Sequence, residues 1–523
     1  MIVMGRVGCI TLWLLLPVHA AHAVPPTVVA EVTRVATDAS ANDVAATCVA
    51  LDGSRLVFGA RGRDEGGVNR GAIYVHRESS TGWIQSDKLT PQGSVDREEF
   101  GTAVASSGDW IAVGAPLSDR DEPDGGSVWL FQSNGVSFFQ FARLSSPSAV
   151  AGGRFGCSLA FSRGAEPRLI VGARREAADG ISGAGSVYVY RFIGGAWALE
   201  ARLIAPAVVT EADDFGQSVA VFGDTIVVGA PGEDAAGTNS GGVHVFRLVG
   251  STWAHEAFIV SPMAEPLAEF GSSVALDGER LVIGAYREDG GASDAGRVHL
   301  FSRVSSGWTA VGTLTSPAPS VSAEFGGCVA IQDDAIAVGS SRLLVNGQIQ
   351  AGGAFLFRLS GMQWSTVATL VSSNSQANEF AGCNVGLSGL RIAFGAPLKT
   401  ITAAYQGAAL VTDLSSDCDG DLIPDRAELA GGAPDCNANG RPDACDIASG
   451  EPDTDGNGVP DSCEVVPCPA DLTGNGVITG ADLSILLAVW AESGGFPPAD
   501  LNGDGVVSGL DLAVLLAAWG PCP

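Results

Sequence analysis

The sequence predicts a mainly β protein, in which a seven-bladed β-propeller is followed by acidic loop repeats and a small α-helical module. A Phe-Gly motif recurs at intervals of roughly 55 residues, and each interval contains four short, alternating apolar segments. The chain has 70 glycines and only 7% aromatic residues, which favours short strands and tight turns over long helices. Beyond about Asp413 the apolar alternation stops, and Asp and Asn recur at alternate positions.

The N-terminus has the pattern of a secretory signal peptide. Arg6 precedes an apolar run from Val7 to Val18, and Ala21-His22-Ala23 offers small residues around a cleavage point. A run of about 12 apolar residues is too short to span the hydrocarbon core as a helix. We therefore predict a signal peptide over residues 1–23 and no transmembrane segment after its removal. The mature protein is expected to be secreted or at the cell surface, where disulfides persist.

The central region contains seven related units. The Phe-Gly pairs, with one variant, are Phe100-Gly101, Phe155-Gly156, Phe215-Gly216, Phe270-Gly271, Phe325-Gly326 and Phe380-Ala381. Each is followed by a second motif, which reads Gly114-Ala115-Pro116, Gly172-Ala173, Gly229-Ala230-Pro231, Gly284-Ala285, Gly339-Ser340 and Gly395-Ala396-Pro397. Residues 45–60 form the remaining copy. Four strands in a unit of this length indicate one propeller blade.

The last unit has no fourth strand after Val411. Residues 27–35 have the apolar pattern of the missing strand and precede Ala45 by the expected interval. We predict that they complete the seventh blade, which closes the ring and removes an exposed sheet edge. The propeller is accordingly predicted over residues 24–413.

These motifs resemble the FG-GAP repeats of integrin α-subunit propellers, and still more the bacterial proteins built from such repeats. The resemblance implies a ligand-binding or adhesion role. Integrin-type repeats often carry a calcium loop after the second motif, but the matching acids here, such as Asp119, Asp121 and Asp234, are irregularly spaced. We interpret them as solvated loop acids. Cys48, Cys328 and Cys383 share a position held elsewhere by Ala or Ser, which indicates a small, buried, structural site.

The composition and motifs do not favour catalysis or nucleic-acid binding. A net charge of −29 is unsuited to neutralising phosphates. His244 and His299 occupy equivalent strand positions, where packing explains them better than base catalysis. His255-Glu256 begins a zinc-protease-like motif, but Ile259 stands where the second histidine is required. We predict a non-enzymatic protein, with a glycan-active enzyme in the blade loops as an alternative.

The acidic tail contains three loops with the spacing of calcium ligands. A 12-residue loop supplies oxygens from positions 1, 3, 5, 7, 9 and 12, and position 7 uses its backbone carbonyl. The three candidate sets are Asp417, Asp419, Asp421, Ile423, Asp425 and Glu428; Asp435, Asn437, Asn439, Arg441, Asp443 and Asp446; and Asp453, Asp455, Asn457, Val459, Asp461 and Glu464. They resemble thrombospondin type 3 calcium repeats, predicted here over residues 414–466.

Two further loops each run into a helix. Their candidate ligands are Asp471, Thr473, Asn475, Val477, Thr479 and Asp482, and then Asp500, Asn502, Asp504, Val506, Ser508 and Asp511. The helices are expected over Ala481–Ala491 and Leu510–Trp519, and each carries an apolar stripe, namely Leu483, Leu486, Leu487 and Trp490 in the first and Leu512, Leu515, Leu516 and Trp519 in the second. This duplicated unit resembles a type I dockerin (a paired F-hand module), predicted over residues 467–523.

The dockerin resemblance implies calcium as the cofactor and a cohesin-type partner. Dockerins recognise cohesins through residues near loop positions 10 and 11, which are often hydroxylated, whereas this chain has Gly480-Ala481 and Gly509-Leu510. A calcium-stabilised end module without a cohesin is the other interpretation.

The six tail cysteines are even in number and fit a disulfide framework. A bond between Cys468 and Cys522 would join the ends of the dockerin-like module. The other four allow two pairings, 436–445 with 418–463 or 418–436 with 445–463.

We therefore expect an exported, calcium-binding, non-enzymatic adhesion or ligand-binding propeller, attached or docked through its C-terminal module. Its ligand is an extracellular protein or glycan that the sequence does not identify. The second hypothesis is an accessory component of a polysaccharide-degrading assembly, docked to a cohesin partner.

Overall fold

The chain forms two compact units, one up to Ser415 and one from Ser416 onward. The computed structural model describes residues 27–29, 32–79, 82–163, 167–206, 211–414, 425, 428–429, 432–439, 441–453, 456–463, 468–491 and 498–522. The predicted signal peptide, residues 1–23, lies outside these ranges. Within them, every helix is too short or too polar to cross a bilayer.

The first unit is a β-propeller of seven antiparallel sheets, which confirms the predicted fold class of this region. Blades 1 and 2 consist of β3 (Ala45–Asp52), β4 (Arg55–Ala60), β5 (Ala72–Ser79), β6 (Gly82–Leu89), β7 (Ala103–Ser107), β8 (Trp110–Ala115), β9 (Ser127–Ser133) and β10 (Phe138–Leu144). Blades 3 and 4 consist of β11 (Phe155–Phe161), β12 (Arg168–Ala173), β13 (Ser186–Ile193), β14 (Ala196–Leu203), β15 (Ser218–Phe222), β16 (Thr225–Ala230), β17 (Gly242–Val249) and β18 (Thr252–Ile259).

The remaining blades follow the same order, from the innermost strand outward. Blade 5 consists of β19 (Ser273–Asp277), β20 (Arg280–Ala285), β21 (Arg297–Val304) and β22 (Gly307–Leu314). Blade 6 consists of β23 (Phe325–Gln332), β24 (Ala335–Ser340), β25 (Gly353–Ser360) and β26 (Gln363–Val371). Blade 7 contains β27 (Val385–Ser388), β28 (Arg391–Ala396) and β29 (Ala408–Asp413).

The ring closes through two short N-terminal strands. Strand β2 (Val32–Arg34) pairs antiparallel with β29 and supplies the fourth strand of blade 7. Strand β1 (Thr27–Val29) instead pairs in parallel with β26, so that it extends blade 6. The expectation that residues 27–35 form one strand of blade 7 is therefore wrong for residues 27–29. The exposed edge of β26 accepts them, because it has no other neighbour in that sheet.

The recurrent motifs make one contact that repeats between blades. The Phe of each Phe-Gly pair is fully buried, and the following Gly carbonyl points at the preceding blade. An added Cβ on Gly284 would lie 2.0 Å from the Gly326 carbonyl oxygen, and the equivalent glycines of other blades are as tightly contacted. The second motif therefore requires glycine because a neighbouring carbonyl occupies the space of a side chain.

At the shared position, five Cys or Ser side chains donate hydrogen bonds to these same carbonyls. The bonds are Cys48 Sγ to Gly101 O at 3.0 Å, Ser158 Oγ to Gly216 O at 2.7 Å, Ser218 Oγ to Gly271 O at 2.8 Å, Ser273 Oγ to Gly326 O at 2.7 Å and Cys328 Sγ to Gly382 O at 3.1 Å. The position thus requires a small side chain, and Cys or Ser adds a hydrogen bond that Ala103 cannot make. These bonds join consecutive blades around the central channel.

The second unit contains short helices and disulfide bonds. Its elements are α1 (Asp443–Ala448), a 3₁₀ turn (Asp461–Cys463), β30 (Val477–Ile478), α2 (Gly480–Ala488), α3 (Gly509–Ala517) and β31 (Gly520–Pro521). Strands β30 and β31 pair antiparallel. The helices α2 and α3 start one residue earlier and end two or three residues sooner than expected. Thr479 and Ser508 begin them with capping boxes completed by Asp482 and Asp511.

Candidate functional site

The first loop–helix of the C-terminal unit brings oxygens from three candidate calcium positions together. Thr473 Oγ1 lies 3.0 Å from Asp471 Oδ1 and 2.8 Å from Asp482 Oδ1. Asp471 also accepts bonds from the backbone N–H groups of Gly474, Asn475 and Gly476, which curl the loop around its carboxylate. Oxygens bound to one calcium ion at about 2.4 Å lie about 3 Å from each other, so this donor set fits calcium.

The second loop has the same arrangement. Asp500 accepts the N–H groups of Asp504 and Gly505, at 3.1 and 2.7 Å. Asp511 accepts the N–H groups of Asn502 at 3.1 Å and Ser508 at 2.7 Å. In both loops, the backbone N–H groups of positions 3 and 9 donate to the aspartate at position 12. The second loop therefore also fits calcium.

Hydrogen bonding keeps the final aspartates in the form that binds cations. The bond from the Thr479 N–H, with further bonds from Thr473, holds the pKa of Asp482 well below its usual range. Burial raises the pKa of Asp511, but the bonds from Ser508 and Asn502 outweigh it and lower that pKa. Both side chains are therefore carboxylates near neutral pH.

The loop from Asp435 to Asp446 fits calcium less well. The amide Nδ2 atoms of Asn437 and Asn439 each lie 2.9 Å from Asp446 Oδ2, and Arg441 Nη1 lies 3.6 Å from Asp446 Oδ1. Asp443 is buried and accepts the Cys436 N–H at 2.8 Å, while its Oδ2 has no hydrogen-bond partner among the described residues. A calcium ion here would have to displace the guanidinium and reorient both amides.

The remaining candidate ligands are only partly described. Asp453 accepts the N–H groups of Gly456, Asn457 and Gly458 and thereby curls its loop, as Asp471 does. Asp425 and Glu428 lie close to Cys445. The candidates outside the described residues are Asp417, Asp419, Asp421, Ile423, Asp455 and Glu464.

The disulfides differ from both pairings left open by the sequence. Cys436 is bonded to Cys463, with Cα atoms 5.7 Å apart, and Cys445 is also disulfide-bonded. Cys436 is at position 2 of one loop and Cys463 is at position 11 of the next. The bond therefore links two neighbouring loops and does not join two positions of the same loop. Cys468 and Cys522 are bonded across the second module, as predicted. Bonded cysteines offer no thiolate, so the groupings of Cys436 or Cys445 with nearby acids do not form a thiolate metal site.

The apolar stripes of α2 and α3 are only partly core. Leu486 and Leu515 are fully buried, and Leu483 and Leu512 pack beside them. The remaining stripe residues are about half exposed, at 50% for Leu487, 41% for Trp490, 51% for Leu516 and 49% for Trp519. Each exposed side chain has its duplicate on the other helix. The sequence predicted one apolar stripe per helix and did not distinguish its buried residues from its exposed ones.

In the propeller, the acidic loops are closed by their own backbone. Asp119 Oδ1 accepts the N–H of Asp124 at 2.6 Å, and Asp234 Oδ1 accepts the N–H of Asn239 at 2.8 Å. Asp64 and Asp289 make the same bond five residues ahead in their blades. These acids therefore shape the loops, in addition to being solvated as expected.

A cavity of about 360 Å³ lies in the central channel, lined by the innermost strand of each blade. Cys48 in its lining is buried and Cys383 is half-buried, and desolvation raises the pKa of each of these thiols to about 12. Such thiols stay protonated and are poor nucleophiles. This agrees with the structural role expected for the channel cysteines.

The histidines pack inside the blades as expected, but they also belong to polar contacts that the sequence did not indicate. His244 Nε2 is 2.8 Å from Glu233 Oε1, and His299 Nε2 is 2.8 Å from Glu288 Oε2. The sequence contained a pattern that could have indicated these contacts. Glu233 and Glu288 occupy the same position after the second motif of their units, just as His244 and His299 occupy equivalent strand positions.

The seven sheets with these motifs define a β-propeller built from FG-GAP repeats. The sequence model of the family described as "FG-GAP repeat" matches residues 29–76, 83–131, 197–246 and 253–301. This kind of propeller is a ligand-binding or adhesion-type fold, and it is typically non-enzymatic. The repeats in residues 132–196 and after residue 301 lie outside these matches and are recognised from their motifs and their sheets.

Other comparisons add little to the family match. No curated protein matches the sequence. A chain of the solved structure "Crystal Structure of Mitotic Checkpoint Complex" is 10% identical to this chain, with a TM-score of 0.44. The alignment covers 79% of this chain and 98% of that one.

Proposed function

We propose that the protein is an exported, calcium-binding, non-enzymatic adhesion or ligand-binding protein, docked or attached through its dockerin-like module. The observation that carries the proposal is the meeting of Asp471, Thr473 and Asp482 oxygens within 3.0 Å. The backbone of the second loop donates to Asp511 as that of the first donates to Asp482. The disulfide bonds of the second unit support an oxidising destination. The propeller supports a binding role, since loops from seven blades are available for contact.

Calcium would be held by the two candidate sets in residues 471–482 and 500–511, and its binding would stabilise the module. The buried core of this module is small, so metal binding and folding should be coupled. It consists of Ala470, Ile478, Leu486, Ala499, Val507 and Leu515. The disulfide-linked loops from Asp417 to Glu464 are proposed as further, weaker sites.

The test is calcium titration of the full chain by calorimetry, with far-UV circular dichroism and limited proteolysis. We expect at least two bound ions, and we expect EDTA to expose residues 416–522 to protease while the propeller stays resistant. The variant with Asp482→Asn and Asp511→Asn should lose two ions. Asp109→Asn, which changes an exposed acid of the propeller, is the matched control. Fewer than two ions in the unaltered protein would contradict the proposal.

A second candidate function is an accessory component of a polysaccharide-degrading assembly. It is favoured by the duplicated exposed side chains of α2 and α3, especially Trp490 and Trp519, which form an apolar surface of the kind that interfaces bury. Its test is binding to a panel of cohesins in calcium and in chelator. Calcium-dependent binding that is lost with Trp490→Ala and Trp519→Ala would support it, and absence of binding to every cohesin would reject it.

A further inference from the structure

Blade 4 contains a pair of histidines supported by a glutamate. His244 lies in β17, His255 lies in the adjacent β18, and Glu233 comes from the loop after β16. His244 Nδ1 is 3.1 Å from His255 Nε2, and His244 Nε2 is 2.8 Å from Glu233 Oε1. A register shift in the β17–β18 pairing, after Val245, puts His255 opposite Phe246. The shift brings both imidazoles to the same side of the blade.

The carboxylate determines which nitrogen of His244 is free. Because Glu233 accepts a hydrogen bond, His244 carries its proton on Nε2, and the Nδ1 lone pair points at His255. Two nitrogens bound to one tetrahedral zinc at about 2.0–2.1 Å lie about 3.3 Å apart, close to the separation observed here. A carboxylate on the opposite ring nitrogen is the usual support of a metal-binding histidine.

Blade 5 offers a direct comparison, because it has the same dyad without the second imidazole. Glu288 and His299 match Glu233 and His244, but Ala310 stands opposite Phe301 where blade 4 has His255 opposite Phe246. Glu288 also receives Ser261 Oγ at 3.1 Å and pairs with Arg297. Blade 4 therefore differs from its neighbour in the residues that surround the glutamate as well as in the second histidine.

Among the described residues, those differences leave Glu233 without an arginine or lysine partner. Ala205 replaces Ser261, and Gly242 replaces Arg297 at the start of the third strand. The Oε2 atom of Glu233 is buried and has no hydrogen-bond partner among the described residues. A buried carboxylate is stabilised by a nearby positive charge, which a bound dication would supply through His244.

The site is reachable from solvent at one residue. His76, His244 and His299 are at most 3% exposed, whereas His255 is partly exposed at the outer edge of the blade. Imidazole nitrogens are the commonest protein ligands of transition metals.

We propose that His244 Nδ1 and His255 Nε2 bind a divalent transition metal, copper(II) or zinc(II), with Glu233 supporting His244 from behind. The metal takes the place of the hydrogen bond between the two imidazoles. His255 then carries its proton on Nδ1, so that both rings coordinate as neutral imidazoles, and water completes the coordination. Imidazole favours these ions over calcium, so the site is separate from the acidic loops of the second unit.

The experiment is a copper(II) titration of the full chain with calcium saturating, followed by electron paramagnetic resonance. We expect one copper site with hyperfine coupling to two nitrogens. His255→Gln keeps a hydrogen-bond donor for His244 but removes the second imidazole, and it should abolish the two-nitrogen signal. Glu233→Gln should weaken affinity about 10- to 100-fold.

Glu256→Gln is the matched control. Glu256 is adjacent to His255 but pairs with Arg303 of the next blade, at 2.7 Å, so this variant should bind copper as the unaltered protein does. Ala310→His should add a second two-nitrogen site in blade 5 if the imidazole pair is sufficient. Equal binding and spectra for the unaltered protein and His255→Gln would overturn the proposal, and so would a spectrum with oxygen ligands alone.

Discussion

Replacing Gly284 by alanine tests the contact that repeats between blades. The new Cβ would lie 2.0 Å from the Gly326 carbonyl oxygen and 2.3 Å from Ser273 Oγ. Neither atom can move freely, because Gly326 has φ near +90° in a packed turn and Ser273 donates its hydrogen bond to the same carbonyl at 2.7 Å. Blades 5 and 6 must therefore separate locally.

The cost has two parts. Overpacking a well-filled interior destabilises a protein by about 1–3 kcal/mol. Losing the buried Ser273 bond adds about 1 kcal/mol. We expect the free energy of unfolding of the propeller to fall by about 3 kcal/mol. Ser273→Ala alone should cost about 1 kcal/mol, since Ala103 holds the same position in blade 2.

The assay is urea unfolding of the full chain, followed by tryptophan fluorescence, with EDTA and calcium compared so that the second unit is accounted for. Gly312→Ala is the control in the same blade. A Cβ there would approach only Leu300 Cδ1, at 3.9 Å, and should change stability by less than 1 kcal/mol. If Gly284→Ala unfolds at the same urea concentration as Gly312→Ala, the explanation of the second motif is wrong.

Two further predictions concern an ion pair and a disulfide. Arg168 donates to Glu200 at 2.6 and 3.0 Å; burial raises the pKa of Glu200, but this pairing outweighs it and lowers that pKa. Glu200→Gln should therefore lower the free energy of unfolding by about 1–2 kcal/mol above pH 4.5. In urea unfolding at lower pH, the difference between the variant and the unaltered protein should shrink. A difference that stays constant with pH would contradict this prediction. The Cys468–Cys522 bond closes a separation of 54 residues. Replacing both cysteines by serine should destabilise the second unit by about 4 kcal/mol. An unchanged melting temperature in the presence of calcium would contradict this prediction.

Much of the propeller follows from the sequence, because its signals are local and repeated. The spacing of Phe100, Phe155 and their equivalents predicts the repeat of the blades, since the Phe of all five Phe-Gly pairs is buried. Ala45 and the half-buried Phe380 mark the two remaining units. The alternation of apolar residues predicts four strands per unit. The division of residues 27–35 between two blades was not predictable, because it depends on which sheet edges are left open.

The polar sites were less predictable, because they depend on register and on neighbouring elements. His255 meets His244 through a register shift that no sequence spacing reveals. The Cys436–Cys463 bond depends on how two similar loops pack, which their internal spacing does not specify. Trp490 and Trp519 have helical spacing with the core leucines, but α2 and α3 end before them, so their rings turn away from the core.

The closure by β2 sets an order on biosynthesis. Arg34 finds its partner Ala409 only when nearly the whole propeller sequence has been made, and Thr27 in β1 likewise pairs with the distant Thr369. The remaining strands pair with near neighbours in the sequence. The blades can therefore assemble one after another while the first strand waits. Until β29 has been made, β2 of the nascent chain has no partner strand. Pairing of this free strand with a strand of another molecule is the misassembly that the fold must avoid.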